Sequence, residues 1–455
     1  MTQKPTIFAI DFGTTNSLLA AAAKGQTFEP VPLDPAAANP TILRSAMHFT
    51  APEDVAFGAA AVRRFVDSGL RGRLLRSIKR HLGSETFVAT RIGGRRVTIE
   101  ELTGSFLRVM RERACRYFGV EIDRAVIGRP ARFSHRVEQD ALAEERLREA
   151  ARLAGFREIW FCFEPVAAAH DFADEFNETC TVLIGDFGGG TSDFTLARMN
   201  NREFSAENVL SVGGIALAGD ALDGALVREV VAPLLGSKAR YRLPTGSNIM
   251  TMPGELLALL CSPARLTLAN EREILQSIDN IRRGLLDRGD ALLLDRFSTL
   301  VADAVGYQFY EAAEAAKVQL SRSEQVNLEF PYPGIEIDRV TTRSEFEAAI
   351  AGTLEQICGS LDETLAGAGI DPAQIEIACV TGGTSLVPMV ERALRERLKS
   401  AKFVRLRSHH SVVQGLARCA RALEEGTAAP GIVASRTATT QAPDPHTRSR
   451  YHCLI

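Results

Sequence analysis

The sequence predicts an α/β protein of two lobes with a nucleotide between them, and three observations carry that expectation. Val182-Leu-Ile-Gly185 is apolar or small and runs into Asp186-Phe-Gly-Gly-Gly-Thr-Ser-Asp193, a buried strand ending in a carboxylate and then a glycine turn. Ile7-Phe-Ala-Ile10 runs into Asp11-Phe-Gly-Thr-Thr-Asn-Ser17, the same device again. Two copies this far apart point to an internal duplication of domain size. A third strand, Ile375–Val380, delivers Thr381-Gly-Gly-Thr384 into a helix, a turn of the kind that receives a nucleotide.

The chemistry of these turns is specific. Glycines let the main chain approach a ligand that any Cβ would push away, and successive N–H groups in such a turn form a nest for phosphate oxygens. Carboxylates beside them suit Mg²⁺, which keeps its waters and is held by one or two acids plus phosphate. One such hairpin alone could serve only as a turn. Two facing hairpins imply two lobes closing on a nucleotide.

Composition narrows the field further. The 455 residues are 45% apolar and 24% charged, ordinary for a globular chain with ample core and room for about three domains. A net charge of −3 gives no reason to expect a nucleic-acid partner. The eight cysteines are scattered without a Cys-x-x-Cys pair, which argues for reduced thiols in a cytoplasmic protein rather than zinc or a disulfide framework. Neither a leader nor a membrane span is expected.

In chain order, Leu18–Ala23 continues as a small-residue strand and residues 30–40 form a loop. Residues 59–82 read as two helices broken near Gly69 and Gly72, carrying Arg63, Arg64, Arg71, Arg73, Arg76, Lys79 and Arg80. That basic run is either a solvated face or a contact for an acidic partner or phosphate. A hairpin at 87–98 turns at Gly93-Gly94, and 99–118 has helical spacing. A strand at 125–128 ends at Arg129-Pro130, and a long helix covers 134–154.

Glu164 follows the strand 159–163 and precedes Pro165 at a helix start. It is therefore either a cap or an active-site group at a strand end. Strands continue over 194–217, helices dominate 226–341, and Glu314, Lys317 and Ser321 share one helix face. Helices at 344–366 and 411–424 follow, and from about 426 the composition reads as a disordered tail.

Together these motifs resemble the nucleotide-binding domain of DnaK-type heat-shock chaperones, the Hsp70 family within the actin/sugar-kinase superfamily. The matches run in the family's order: IFAIDFGTTNS at 7–17, GRPARF at 128–133, FEPVAAAHDF at 163–172, VLIGDFGGGTSDF at 182–194, LAGDALD at 217–223, EAAKVQLS at 314–321 and VTGGTSLVP at 380–388. The chain resembles in particular the short, YegD-type relatives, which consist of this domain with little after it. The resemblance implies a two-lobed actin-like ATPase fold, each lobe holding a ribonuclease-H-like mixed sheet flanked by helices and a smaller upper subdomain. Lobe I would span 1–175 (upper subdomain about 36–100) and lobe II 176–425 (upper subdomain about 226–341), with a tail at 426–455.

By matching position, the resemblance assigns Asp11, Asp186 and Asp193 to hydrated Mg²⁺, and Gly13, Thr14, Thr15, Gly188, Gly189, Gly190 and Thr191 to the phosphates. Glu164 would join these aspartates as the catalytic group that orients water. Gly219, Glu314, Lys317, Ser321, Gly382, Gly383 and Thr384 would hold the nucleoside, and Pro130 would couple the lobes. ATP or ADP with Mg²⁺ is the expected ligand, and an unidentified protein partner or co-chaperone the expected reader.

Three departures qualify this. Val62 falls where the family's γ-phosphate lysine is expected, and a lost preorganised charge costs roughly 10²–10³ in rate; Arg63 would have to substitute. Slow ATP hydrolysis, a weak ATPase at most, or a non-hydrolysing nucleotide-gated scaffold follows; a small-molecule kinase is the third alternative. Val318 and Leu386 stand where two base-stacking arginines are expected, each worth roughly 0.5–2 kcal/mol. This should weaken adenine binding and allow another base. The tail leaves too little chain for a peptide-binding β-sandwich.

Overall fold

The computed structural model describes residues 3–68, 71–134, 136–172, 179–199, 208–243, 248–268, 271–303, 305–405, 410–427 and 432–433. The chain begins with β1 (Ile7–Phe12), β2 (Asn16–Ala23) and β3 (Gln26–Phe28), an antiparallel meander, and β4 (Leu43–Arg44) pairs with β2. β5 (Ala46–Ala51), β6 (Asp54–Phe57) and β7 (Arg73–Arg76) form a small sheet, with α1 (Ala59–Asp67) between β6 and β7.

Here the second helix expected within 59–82 is absent. Its residues form β7 and a single 3₁₀ turn over Ile78–His81. The reason is packing. Leu74 joins a cluster with Phe65 and Tyr307, whereas Leu75 enters the separate core beneath β1. Adjacent residues pointing into opposite cores require a strand, in which side chains alternate.

β8 (Ala89–Ile92) and β9 (Arg95–Thr98) make the expected hairpin, and α2 (Ile99–Phe118) starts on a reciprocal cap between Thr98 and Glu101. β10 (Arg124–Arg129), α3 (Val137–Leu153), β11 (Glu158–Phe163) and α4 (Glu164–Phe172) follow. β10 lies parallel to β1, and β11 parallel to β10.

The second half repeats this plan. β12 (Cys180–Phe187), β13 (Ser192–Met199) and β14 (Val209–Ile215) form a meander, followed by α5 (Gly219–Leu226). The upper region contains a two-residue ladder, β15 (Tyr241–Arg242) with β16 (Ile249–Met250). Its helices are α6 (Gly254–Leu260), α7 (Pro263–Leu268), α8 (Glu271–Arg283), α9 (Ala291–Ala302) and α10 (Gly306–Leu320). β17 (Gln325–Phe330) and β18 (Ile337–Thr342) form a hairpin leading into α11 (Arg343–Gly367). β19 (Ile377–Thr381) is parallel to β12; after α12 (Pro388–Arg397), β20 (Lys402–Arg405) is parallel to β19. Sequence periodicity alone missed β20, a four-residue edge strand.

Both sheets therefore share one strand order, β3-β2-β1-β10-β11 and β14-β13-β12-β19-β20. This is the duplication that the paired motifs implied. Between the sheets lie α4 and α13 (Ser411–Glu425), whose small residues share one core with β1, β2, β12 and β19. Gly415 allows the two helices to touch: a Cβ there would sit 1.7 Å from the Ala167 carbonyl oxygen.

The expected tail lies mostly outside the described residues. Ile432 and Val433, within it, form β21, which pairs antiparallel with β11 at the sheet edge. Among the described residues no helix is long and apolar enough to cross a membrane.

Candidate functional site

The two repeated hairpins meet at a cleft of about 350 Å³. In each, the first acid lies near the end of a central strand: Asp11 pairs in register with Leu18, and Asp186 with Asp193. The turns face each other closely. A Cβ on Gly189 would lie 2.2 Å from Thr15 Oγ1, and one on Gly190 2.4 Å from Thr14 Oγ1. Only glycine permits this approach.

Surrounding groups hold the turns. Gly188 N–H closes the second turn onto Thr191 O at 3.0 Å. Its carbonyl accepts from Thr384 Oγ1 (2.9 Å) and Gly219 N–H (3.2 Å), while Gly189 O accepts from Asp220 N–H (2.7 Å). The first turn is braced by Ser45, whose hydroxyl donates to Gly13 O at 2.7 Å.

The cleft is lined by Asp11, Gly13, Thr14, Thr15, Glu164, Asp186, Gly188, Gly189, Gly190, Thr191, Gly219, Glu314, Lys317, Gly382, Gly383 and Thr384. Asp193 lies just behind this lining, buried, with Oδ1 accepting from Ala131 N–H at 2.7 Å. That bond ties the segment at Pro130, in the first half, to the second hairpin. Ser321 sits one turn beyond Lys317 and donates its hydroxyl to the Lys317 carbonyl at 3.1 Å rather than lining the cleft. Val318 and Leu386 both line the cleft and are each 47% exposed.

The expectation for Val62 is overturned. Val62 packs beside Phe65 and Tyr307 and borders a neighbouring groove, and Arg63 is exposed there. Lys79 instead enters the cleft and pairs with Glu164 Oε1 at 2.5 Å, both residues 6% exposed. The cleft lysine is thus delivered by the 3₁₀ turn after β7 and not by the start of α1 that follows Gly58. Its signal was present, since Lys79 is the only lysine between Lys24 and Lys238.

Electrostatically the floor is acidic. Asp11, Asp186, Asp193 and Glu164 surround one ammonium. Burial, then the charge of Glu164, pushes Asp11 up to about 8 and Asp186 and Asp193 to about 7. Further out, Lys317 is fixed by Asp223 at 2.8 Å, and burial raises that carboxyl to about 6 against the pull of the lysine.

Within the basic run 63–80, Arg64, Arg76 and Arg80 meet acids of the same chain, as Lys79 does. Arg64 pairs with Asp54 at 2.7 Å, and Arg80 reaches across the cleft to Asp220 at 3.1 Å. Arg76 lies over the Tyr307 ring at 4.6 Å and approaches Glu314 at 3.9 Å; Arg44 joins it, 3.0 Å from Glu311.

Comparison with known proteins agrees with this geometry. The family described as Hsp70 protein matches residues 74–252 and 301–432. The chain is 25% identical over 402 residues to the chaperone protein DnaK of Thermotoga neapolitana, and to those of Thermotoga petrophila and Thermotoga maritima. These alignments cover 87% of this chain and 55% of each relative, so the chain spans about half the length of the curated relatives it matches.

Proposed function

Because the chain belongs to the Hsp70 protein family, we propose that it is a chaperone-like ATPase. Its lobes, residues 1–175 and 176–425, close on ATP, hydrolyse it and report the nucleotide state to a protein partner in the cytoplasm. One observation carries this reading: the Lys79–Glu164 pair buried among Asp11, Asp186 and Asp193, below two facing glycine turns. The turns supply N–H groups and hydroxyls for the phosphates. Lys79 supplies the positive charge that a developing γ-phosphate needs, and Glu164 is placed to accept a hydrogen bond from the attacking water. Catalysis of this kind is positioning plus charge neutralisation.

The same acids fit a magnesium ion. Four carboxyls, those of Asp11, Asp186, Asp193 and Glu164, gather around one lysine, and burial followed by the charge of Glu164 raises the three aspartates. Among the described residues no three acids, histidines or cysteines converge tightly enough to ligate a metal directly. Asp11, Asp186 and Asp193 would therefore hold a hydrated ion, which would neutralise phosphate charge when bound.

With Lys79 in the cleft, Val62 no longer implies slow hydrolysis, and turnover is the expected behaviour. Single-turnover ATP hydrolysis in the presence of Mg²⁺ tests it. We expect measurable turnover in the wild type and a loss of about 10²–10³ in both Lys79→Ala and Glu164→Ala. Tight ATP binding with no wild-type turnover would make the protein a nucleotide-gated scaffold instead.

A further inference from the structure

We infer that this cleft binds nucleotides without reading the base: its ligand class is purine nucleoside di- and triphosphates, ATP and GTP alike. The inference rests on the nucleotide-site reading above and concerns only the end of the cleft away from the glycine turns.

That end is walled by Val318 on α10 and Leu386 on the turn after β19. Two large aliphatic side chains, each 47% exposed and lining one cavity, offer a slot for a flat ring. Neither can hydrogen-bond a base edge. The hydroxyl protons nearby are already spent on the backbone. Ser321 donates to Lys317 O (3.1 Å), Ser385 to Gly382 O (2.7 Å) and Thr384 to Gly188 O (2.9 Å). Lys317 is held by Asp223 at 2.8 Å, and Glu314 faces Arg44 and Arg76 at 3.9 Å each.

Adenine and guanine differ in the donors and acceptors on their edges while both present flat π-faces. A site that hydrogen-bonds a substrate edge rejects an analogue lacking it by roughly 10⁴–10⁵, whereas apolar walls discriminate by only roughly 10–200-fold even for a changed methylene. Among the described residues, the donors at this end are taken, and Val318 and Leu386 present apolar walls to a ring. Affinity is concentrated on the phosphates, where the turns and Lys79 lie.

Calorimetry with ADP, GDP and inorganic tripolyphosphate, each with Mg²⁺, tests this. We expect the Kd values of ADP and GDP to agree within tenfold. A larger preference for either nucleotide overturns the inference while leaving the nucleotide site intact. If neither nucleotide nor tripolyphosphate binds, the nucleotide-site reading itself fails and this inference with it. Val318→Arg supplies a second readout at an exposed position: the new guanidinium should tighten ADP and GDP together and leave their ratio unchanged. A variant that tightened ADP alone by more than tenfold would reveal an edge-reading group and sink the proposal.

Discussion

Burial of Asp11, Asp186 and Asp193 has a consequence measurable without any ligand. Their folded-state values of about 8, 7 and 7 lie above the ordinary 3.8. A group raised on folding stabilises the fold fully below its unfolded value, and that contribution is lost as pH rises through the folded one. The ligand-free protein should therefore melt at a lower temperature at pH 8.5 than at pH 6. Asp193→Asn should flatten that slope; a melting temperature that rises over this range would refute the assignment. These acids were legible in the sequence because each ends a strand just before, or just after, a glycine turn. Lys79 was not. It sits in an arginine-rich run that reads as helix, and its place depends on how β7 packs on β5, which no local pattern encodes. Pro130 and Asp193 were each recognised, but the hydrogen bond linking Ala131 to Asp193 joins residues 62 apart in sequence and emerges only from the fold.

The long elements were the readable ones. α2, α11, β1 and β12 carry clear periodicity or apolar runs, and their caps stand out: Thr98 with Glu101, and Thr342 with Glu345. Thr98→Ala should cost about 1 kcal/mol in chemical denaturation, as loss of a helix cap does. The short strands β5 to β7 and β20 were obscured because four to six residues give too little pattern to oppose a nearby helical reading. Contact between α4 and α13 was equally hidden, because the significance of Gly415 lies in the Ala167 carbonyl it meets. Gly415→Val should destabilise the protein by about 1–3 kcal/mol or more, the cost of overfilling a packed core. Denaturation of that variant alongside Gly359→Ala, a helical position where a Cβ meets nothing within 4 Å, would separate crowding from a general helix effect.

Across the cleft, the upper regions are clasped by Tyr307. Its ring is 1% exposed, set among Ala61, Phe65 and Leu74 from the first half of the chain and beneath Arg76. Glu311 accepts from both Arg44 (3.0 Å) and the Tyr307 hydroxyl (2.5 Å). On the proposed function, a nucleotide bound in the cleft should leave only when this contact opens. Tyr307→Ala should therefore speed release of a fluorescent ADP analogue at least several-fold in stopped-flow displacement, with a smaller effect on its rate of hydrolysis. An unchanged release rate would mean the clasp does not limit opening.

The position of α13 sets an order on how the protein can be made. This helix comes after all the strands of the second sheet, yet it covers the inner face of the first, against Ile7, Ala9, Leu18, Ala20 and Val126. Its end is pinned there as well, with Glu424 bonded to Thr6 and Arg124 at 2.5 Å each and Glu425 to Gly25 N–H at 3.1 Å. A ribosome delivers β1, β2 and β10 hundreds of residues before that cover. Until α13 emerges, that face is an uncovered apolar surface, so the nascent chain itself needs shielding, and its earliest-made half is among the last to become native.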